Sequence, residues 1–340
     1  MALIFKGIAA AALLLAVSAT PAGAETSVVD LGVLPGDVSS ETSAINASGV
    51  VVGNSYADIS TPHAVRWDRS GRALPLPGLG RTSFAYSVND QGVVVGYSEG
   101  ADGRARAVRW DATGALRELV VPGATTSYAR DVNSAGFVAG TAVIDEVSKA
   151  VRWDPFGKAT VLALPAGTTS AAVFEINDRG EVAGNAFGDD SYAVRWTFSG
   201  QPVSFGAGTN ARGFNSAGTL VGRKGATAAR WDRSGETVLE GDTATDVNDH
   251  GQVVGIAAGH AVSWCPSRDL GLGGALLVNN RGDAAGFADS SAVKWHQGKT
   301  SVLPLPPGAT ASSVTGMNDR GAVSGTTFDA NGDSRAVLWR

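Results

Sequence analysis

The chain is poor in the residues that most often build disulfides, metal centres and charged interfaces. Cys265 is its only cysteine, histidines number four, and charged residues make up 17% of the 340 positions. A single cysteine excludes an intrachain disulfide, so packing alone must hold the fold. Beside Trp264, Cys265 is expected to sit buried as a small apolar side chain. His63, His250, His260 and His296 are dispersed and show no metal-ligand spacing. Gly-x-Ser-x-Gly, His-Glu-x-x-His and phosphate-loop patterns are missing as well. The expectation is therefore a non-enzymatic chain with no catalytic residues, no resident metal and no cofactor.

Other absences narrow the class. Helical periodicity is lacking beyond the first residues. The net charge is −5, and removing Lys6 with a leader makes it −6. Without a basic patch, phosphate contacts are not supplied, which excludes nucleic acid as a partner. The one long apolar run, Gly7 to Ala19, follows Lys6 and precedes Ala22-Gly23-Ala24. That order reads as a signal peptide over residues 1–24, cleaved before Glu25. The run is shorter than the roughly 20 residues a bilayer span needs. The expected product is exported, monomeric and without a membrane span, with residues 25–340 as one domain.

Glycine is abundant, at 45 residues, and its placement is regular. Asn133-Ser-Ala-Gly136-Phe-Val-Ala-Gly140, followed by Ala150-Val151-Arg152-Trp153, typifies a unit that occurs eight times. Its asparagines are Asn46, Asn89, Asn133, Asn177, Asn215, Asn248, Asn279 and Asn318, each with glycine three and seven residues on. Its tryptophans are Trp67, Trp110, Trp153, Trp196, Trp231, Trp264, Trp295 and Trp339, which are all eight in the chain. Similarity at a period of roughly 30–45 residues marks a repeat architecture.

Asparagine first and glycine fourth is a type I turn signature, and turns between short strands account for the periodic glycines. In the type copy, Tyr128–Val132, Phe137–Val143, Lys149–Trp153 and Thr160–Leu164 read as four strands. Four short antiparallel strands per unit describe a propeller blade. Period-two alternation puts Val151 and Trp153 on one face, so the tryptophans are expected to pack between blades. Arg66, Arg109, Arg152, Arg195 and Arg230 face the other way, toward a neighbour's tryptophan or toward solvent. After Trp339 no fourth strand follows, whereas Ser27–Pro35 resembles one. The reading is an all-β, eight-bladed propeller of four-stranded blades, its ring closed by the N-terminal strand. The fifth to seventh copies are short, with asparagines 33 and 31 residues apart, which allows a distorted ring.

The pattern Ile/Val-Asn-Asp-x-Gly-x-Val-x-Gly, then Ala-Val-x-Trp and a Leu-Pro-x-Gly exit, resembles the HAF repeat of secreted bacterial proteins. Asn177–Gly184 and Asn318–Gly325 are close matches, and the resemblance covers residues 27–340. It departs at the His-Ala-Phe motif itself: His63-Ala64-Val65 and His260-Ala261-Val262 keep the histidine but carry valine. The resemblance implies an extracellular repeat domain and brings no catalytic residues.

Function is expected in the irregular parts, because variable loops on a rigid scaffold usually carry binding. The second–third loops and the inter-blade connections share one face. Their acidic residues include Asp58, Asp102, Asp145, Asp189, Asp329 and Asp333. These read either as a rim attracting Ca2+ or a cationic partner, or as ordinary solubilising charge. Phe84, Tyr86, Tyr128 and Phe174 lie just before their turn asparagines and read as core or as a platform for sugar rings. The leading reading is a secreted module binding an envelope polysaccharide or a surface protein. Its alternatives are a secreted glycan-cleaving enzyme with carboxylates at the propeller mouth, and a purely structural envelope domain.

Overall fold

The computed structural model describes residues 26–340, so the leader assigned to residues 1–24 lies outside the described residues. Eight four-stranded antiparallel sheets form a ring, each built from one repeat. In the third blade the strands are Ala124–Val132, Val138–Ile144, Val147–Trp153 and Ala159–Val161, ordered from the axis outward. The eighth blade takes Val28–Asp30 as its outer strand, Val28 facing Trp339 and Asp30 facing Val337. This closes the ring as the fourth-strand pattern near Ser27 predicts. The short fifth to seventh copies still give complete blades, because the residues they lose come from hairpins, as at Ala257–His260, and from connections, as between Leu272 and Gly274.

Tryptophan is the wedge between blades. Trp153 is fully buried and packs with Val95, Ala107 and Leu119 of the preceding blade as well as with its own Val138 and Val151. Trp110 and Trp196 donate their indole N–H groups to the exit carbonyls of the preceding blade, Pro77 and Ala163, at 2.7 Å. Burying so large a ring across a seam ties neighbour to neighbour, its polar tip satisfied there in Trp110 and Trp196 but left without a partner in Trp67 and Trp153. The repeat arginines take a third course. Arg66 and Arg109 donate to carbonyls of the next blade, Ala112 at 2.7 Å and Pro155 at 2.8 Å. Arg152 does the same to Phe198 and stacks on its ring at 4.4 Å, not on a tryptophan.

Turns explain only half of the repeat glycines. Gly136 holds φ at 81° in the Asn133 turn, where a side chain is disfavoured. Gly140 is in mid-strand with no unusual φ; a methyl there would overlap the carbonyl oxygen of Tyr128. The cause is a bulge between Ala129 and Asp131 in the inner strand, which pushes that carbonyl toward the second strand. All eight inner strands carry the same bulge before their asparagine. Cys265, expected to be buried, is exposed, because the chain turns outward once Trp264 has entered the core.

Candidate functional site in the axial channel

The turn asparagines meet around the axis. Each buried Asn donates Nδ2–H to the backbone carbonyl of the next asparagine, from Asn46 to Asn89 and finally from Asn318 back to Asn46, at 2.9–3.3 Å. The amide oxygen meanwhile accepts the N–H four residues on, as from Phe137 to Asn133 at 2.9 Å. One side chain therefore shapes its own turn and links two blades. The residue after it forms a second, outer circle. Asp90, Asp178, Asp249 and Asp319 are exposed there, and Asp178 accepts the Ser134 N–H at 2.9 Å. Asn280 takes the equivalent place in the seventh blade and reaches Asp319 and Asp249 on either side.

Inside these circles lies a cavity of about 420 Å3, with Glu175 and Asp246 in its wall. Both sit two residues before their asparagine, as does Asp131. The bulge turns this position toward the next blade. Asp131 accepts the Ile176 N–H at 2.9 Å and the Ser87 hydroxyl at 2.7 Å. Asp246 accepts the Val278 N–H at 2.8 Å, and the Phe214 N–H serves Glu175 in the same way. All three are half-buried, and of them Glu175 and Asp246 line the cavity while Asp131 does not. Burial raises the pKa of Asp131 and of Asp246 despite these bonds. Glu175 rises well above the usual range, through burial first and then through the charges of Asp131 and Asp246. A group that keeps its proton beside two that release theirs more readily is an acid–base arrangement.

The residues one step earlier are the bulge residues, and they face the second–third loop side. Tyr86, Arg130, Phe174 and Arg212 occupy this position in consecutive blades, the second to the fifth. Tyr86 and Tyr128 do come together, in a cluster with Phe84 and Tyr97: Phe84 and Tyr86 centroids are 4.7 Å apart, Tyr97 and Tyr128 5.2 Å. The Arg130 guanidinium lies 4.3 Å over Tyr86. Phe174 and Arg212 line a second cavity, of about 460 Å3, with Asn185 and Thr245.

The loop carboxylates are placed differently. Asp58 accepts Ser60 and Thr61, and these bonds hold its pKa below the usual value. Asp102 caps Arg104 and pairs with Arg106 at 2.8 Å, and Asp329 accepts the N–H groups of Asn331 and Asp333. Asp145 occupies a hairpin turn at φ 52°, and Asp189 lies in the neighbouring blade's hairpin. These six residues stay in their own hairpins. Among the described residues no group of three or more metal-ligating side chains is assembled. Asp131, Glu175 and Asp246 escaped the sequence reading because their position is not part of the repeat: other blades carry Ala44, Ser87, Gly213, Leu277 and Gly316 there. The signal was an acid in an inner strand where small or apolar residues prevail.

No family model and no curated protein matches the chain. Solved structures do. A streptogramin B lyase matches at TM-score 0.56 and 11% identity, over 93% of this chain and 98% of that one. Virginiamycin B lyase from Staphylococcus aureus matches at 0.56 and 13%, over 92% and 98%. An oligogalacturonate lyase in complex with manganese matches at 0.54 and 13%, over 92% of each chain. The likeness is one of fold. It nevertheless corrects the expectation of a non-enzymatic chain. That expectation rested on missing motifs, and lyases sharing this fold show that the absence of such motifs does not make a ring non-enzymatic. Here Asp131, Glu175 and Asp246 come from separate blades, so no local spacing announces them.

Proposed function

We propose that the chain is a glycan-cleaving enzyme whose carboxylates act at the waist of the axial channel. One observation carries this reading: Glu175 and Asp246 share the wall of one axial cavity, with the charge of Asp131 raising the proton affinity of Glu175. Glu175 donates its proton to the leaving glycosidic oxygen as that C–O bond breaks, and Asp246 takes a proton from the water that bonds to the anomeric carbon on the other side. Burial strengthens both roles, because a charge that develops in a water-poor site is felt at short range. Outside the waist, Asp90, Asp178, Asp249 and Asp319 offer carboxylate oxygens to sugar hydroxyls, while Tyr86, Tyr97 and Tyr128 offer apolar ring faces. Export, for which the leader-like residues 1–24 are the support, brings the enzyme to envelope polysaccharide.

The test is turnover of cell-wall and other polysaccharides by residues 25–340, read as new reducing or unsaturated ends. Glu175→Gln should lower the rate by about 100-fold or more, the usual scale for removing a general acid, without lowering the melting temperature. Full activity in both Glu175→Gln and Asp246→Asn would refute the assignment.

A further inference from the structure

Two cations stand at the bulge, one position before the level of the buried carboxylates, and pair with none of them. Arg130 precedes Asp131, and Arg212 precedes Gly213 in the blade that separates Glu175 from Asp246. Among the described residues neither arginine makes an ion pair within 4.0 Å, although six lysine or arginine pairs occur elsewhere. The bulge is responsible: it sends the residue before the carboxylate to the loop side of the waist and the carboxylate to the turn side. Arg130 is held in place on the Tyr86 ring, and Arg212 borders the cavity that Phe174 also lines. Phe174 belongs to the blade between them, at the same position of the same bulge. The sequence of side chains along the wall is thus aromatic, cation, aromatic, cation over four consecutive blades.

From this placement we infer that the sugar bound on the loop side of the waist carries a carboxylate, so that the substrate is a uronic-acid glycan. The inference rests on the enzymatic reading above and specifies its substrate class. An aromatic face takes the apolar side of a pyranose, and a planar guanidinium takes a carboxylate through two parallel hydrogen bonds. Arg212, beside the cavity and without an ion-pair partner, is free to make those bonds, and Arg130, stacked on Tyr86, has no carboxylate partner of its own. A neutral glycan would leave both arginines unanswered, and a cationic one would be repelled by them. In a chain of net charge −5 the two also offset the repulsion an anionic ligand would meet at the acidic waist.

The experiment uses the turnover-deficient Glu175→Gln protein, titrated calorimetrically with tetragalacturonate and tetramannuronate and with the methyl ester of each. At least one acid form should bind about tenfold or more tighter than its ester, the scale of one charge-assisted contact. Arg212→Gln, at an exposed position, and Arg130→Gln should each shrink that difference toward unity while leaving ester binding unchanged. Equal binding of acid and ester, binding of neither, or a difference that survives both substitutions would overturn the inference. Turnover by the unsubstituted protein separates the two readings. Acid-selective binding without cleavage refutes the enzyme and leaves the subsite. Glu175-dependent cleavage of neutral glycans alone refutes the subsite and leaves the enzyme.

Discussion

At the level of the turn asparagines the channel is alike in all eight blades; two residues farther in, no two adjacent blades present the same side chain. The outer level is a closed circle of identical hydrogen bonds, each of which serves the joining of blades. The inner level carries three carboxylates among alanine, serine, glycine and leucine, and each carboxylate is buried at a cost that folding does not require. Symmetry in this molecule belongs to assembly, and its loss marks where chemistry is placed. Both levels lie on one strand end, a few residues apart, because the bulge lets one strand serve a neighbour and a lumen at once.

Substitutions separate the two levels. The largest stability effect belongs to the lattice: Trp153→Ala should cost about 3–5 kcal/mol, since a fully buried ring leaves a void between two blades. An unchanged melting temperature would remove the wedge account. Gly140→Ala should cost about 1–3 kcal/mol, because its methyl meets a carbonyl oxygen that cannot retreat without undoing the bulge. Asn133→Ala breaks bonds to Asn177 and Phe137 and should cost roughly 1–3 kcal/mol, with catalysis retained in what remains folded.

The inner level should behave in the opposite sense. Burial raises Asp131, Glu175 and Asp246, so the native state keeps protons that the unfolded chain has already released. Their contribution to stability is complete below the ordinary carboxylate values of 3.8 and 4.5 and is lost as pH rises through the native ones. Glu175→Gln should therefore raise the melting temperature at pH 7 and flatten its decline as pH rises above the ordinary carboxylate range, while lowering turnover about 100-fold or more. A variant destabilised at pH 7 would show that Glu175 is structural. The smallest effect is expected of Asp145→Asn and Asp189→Asn, whose hairpins stand apart from the waist: turnover and melting temperature should stay as they were. Loss of turnover there would move the site to the loop rim.

Much of this was legible along the chain. The eight Asn–Gly–Gly–Trp units, the alternation that sends Trp153 and Val151 to one face, and the strand near Ser27 that completes the last blade are all local or periodic signals. They sufficed for strand number, blade number and closure, because each blade repeats the same short-range conflict between a turn, a bulge and a large ring. The waist was not legible. Asp131, Glu175 and Asp246 are 44 and 71 positions apart in sequence and acquire a common meaning only when three blades converge on one axis. Their proton affinities likewise depend on enclosure and mutual charge, which are properties of the closed ring. Local propensity and periodicity are written residue by residue. Proximity across an axis, and the dielectric it creates, exist only after the ring has closed.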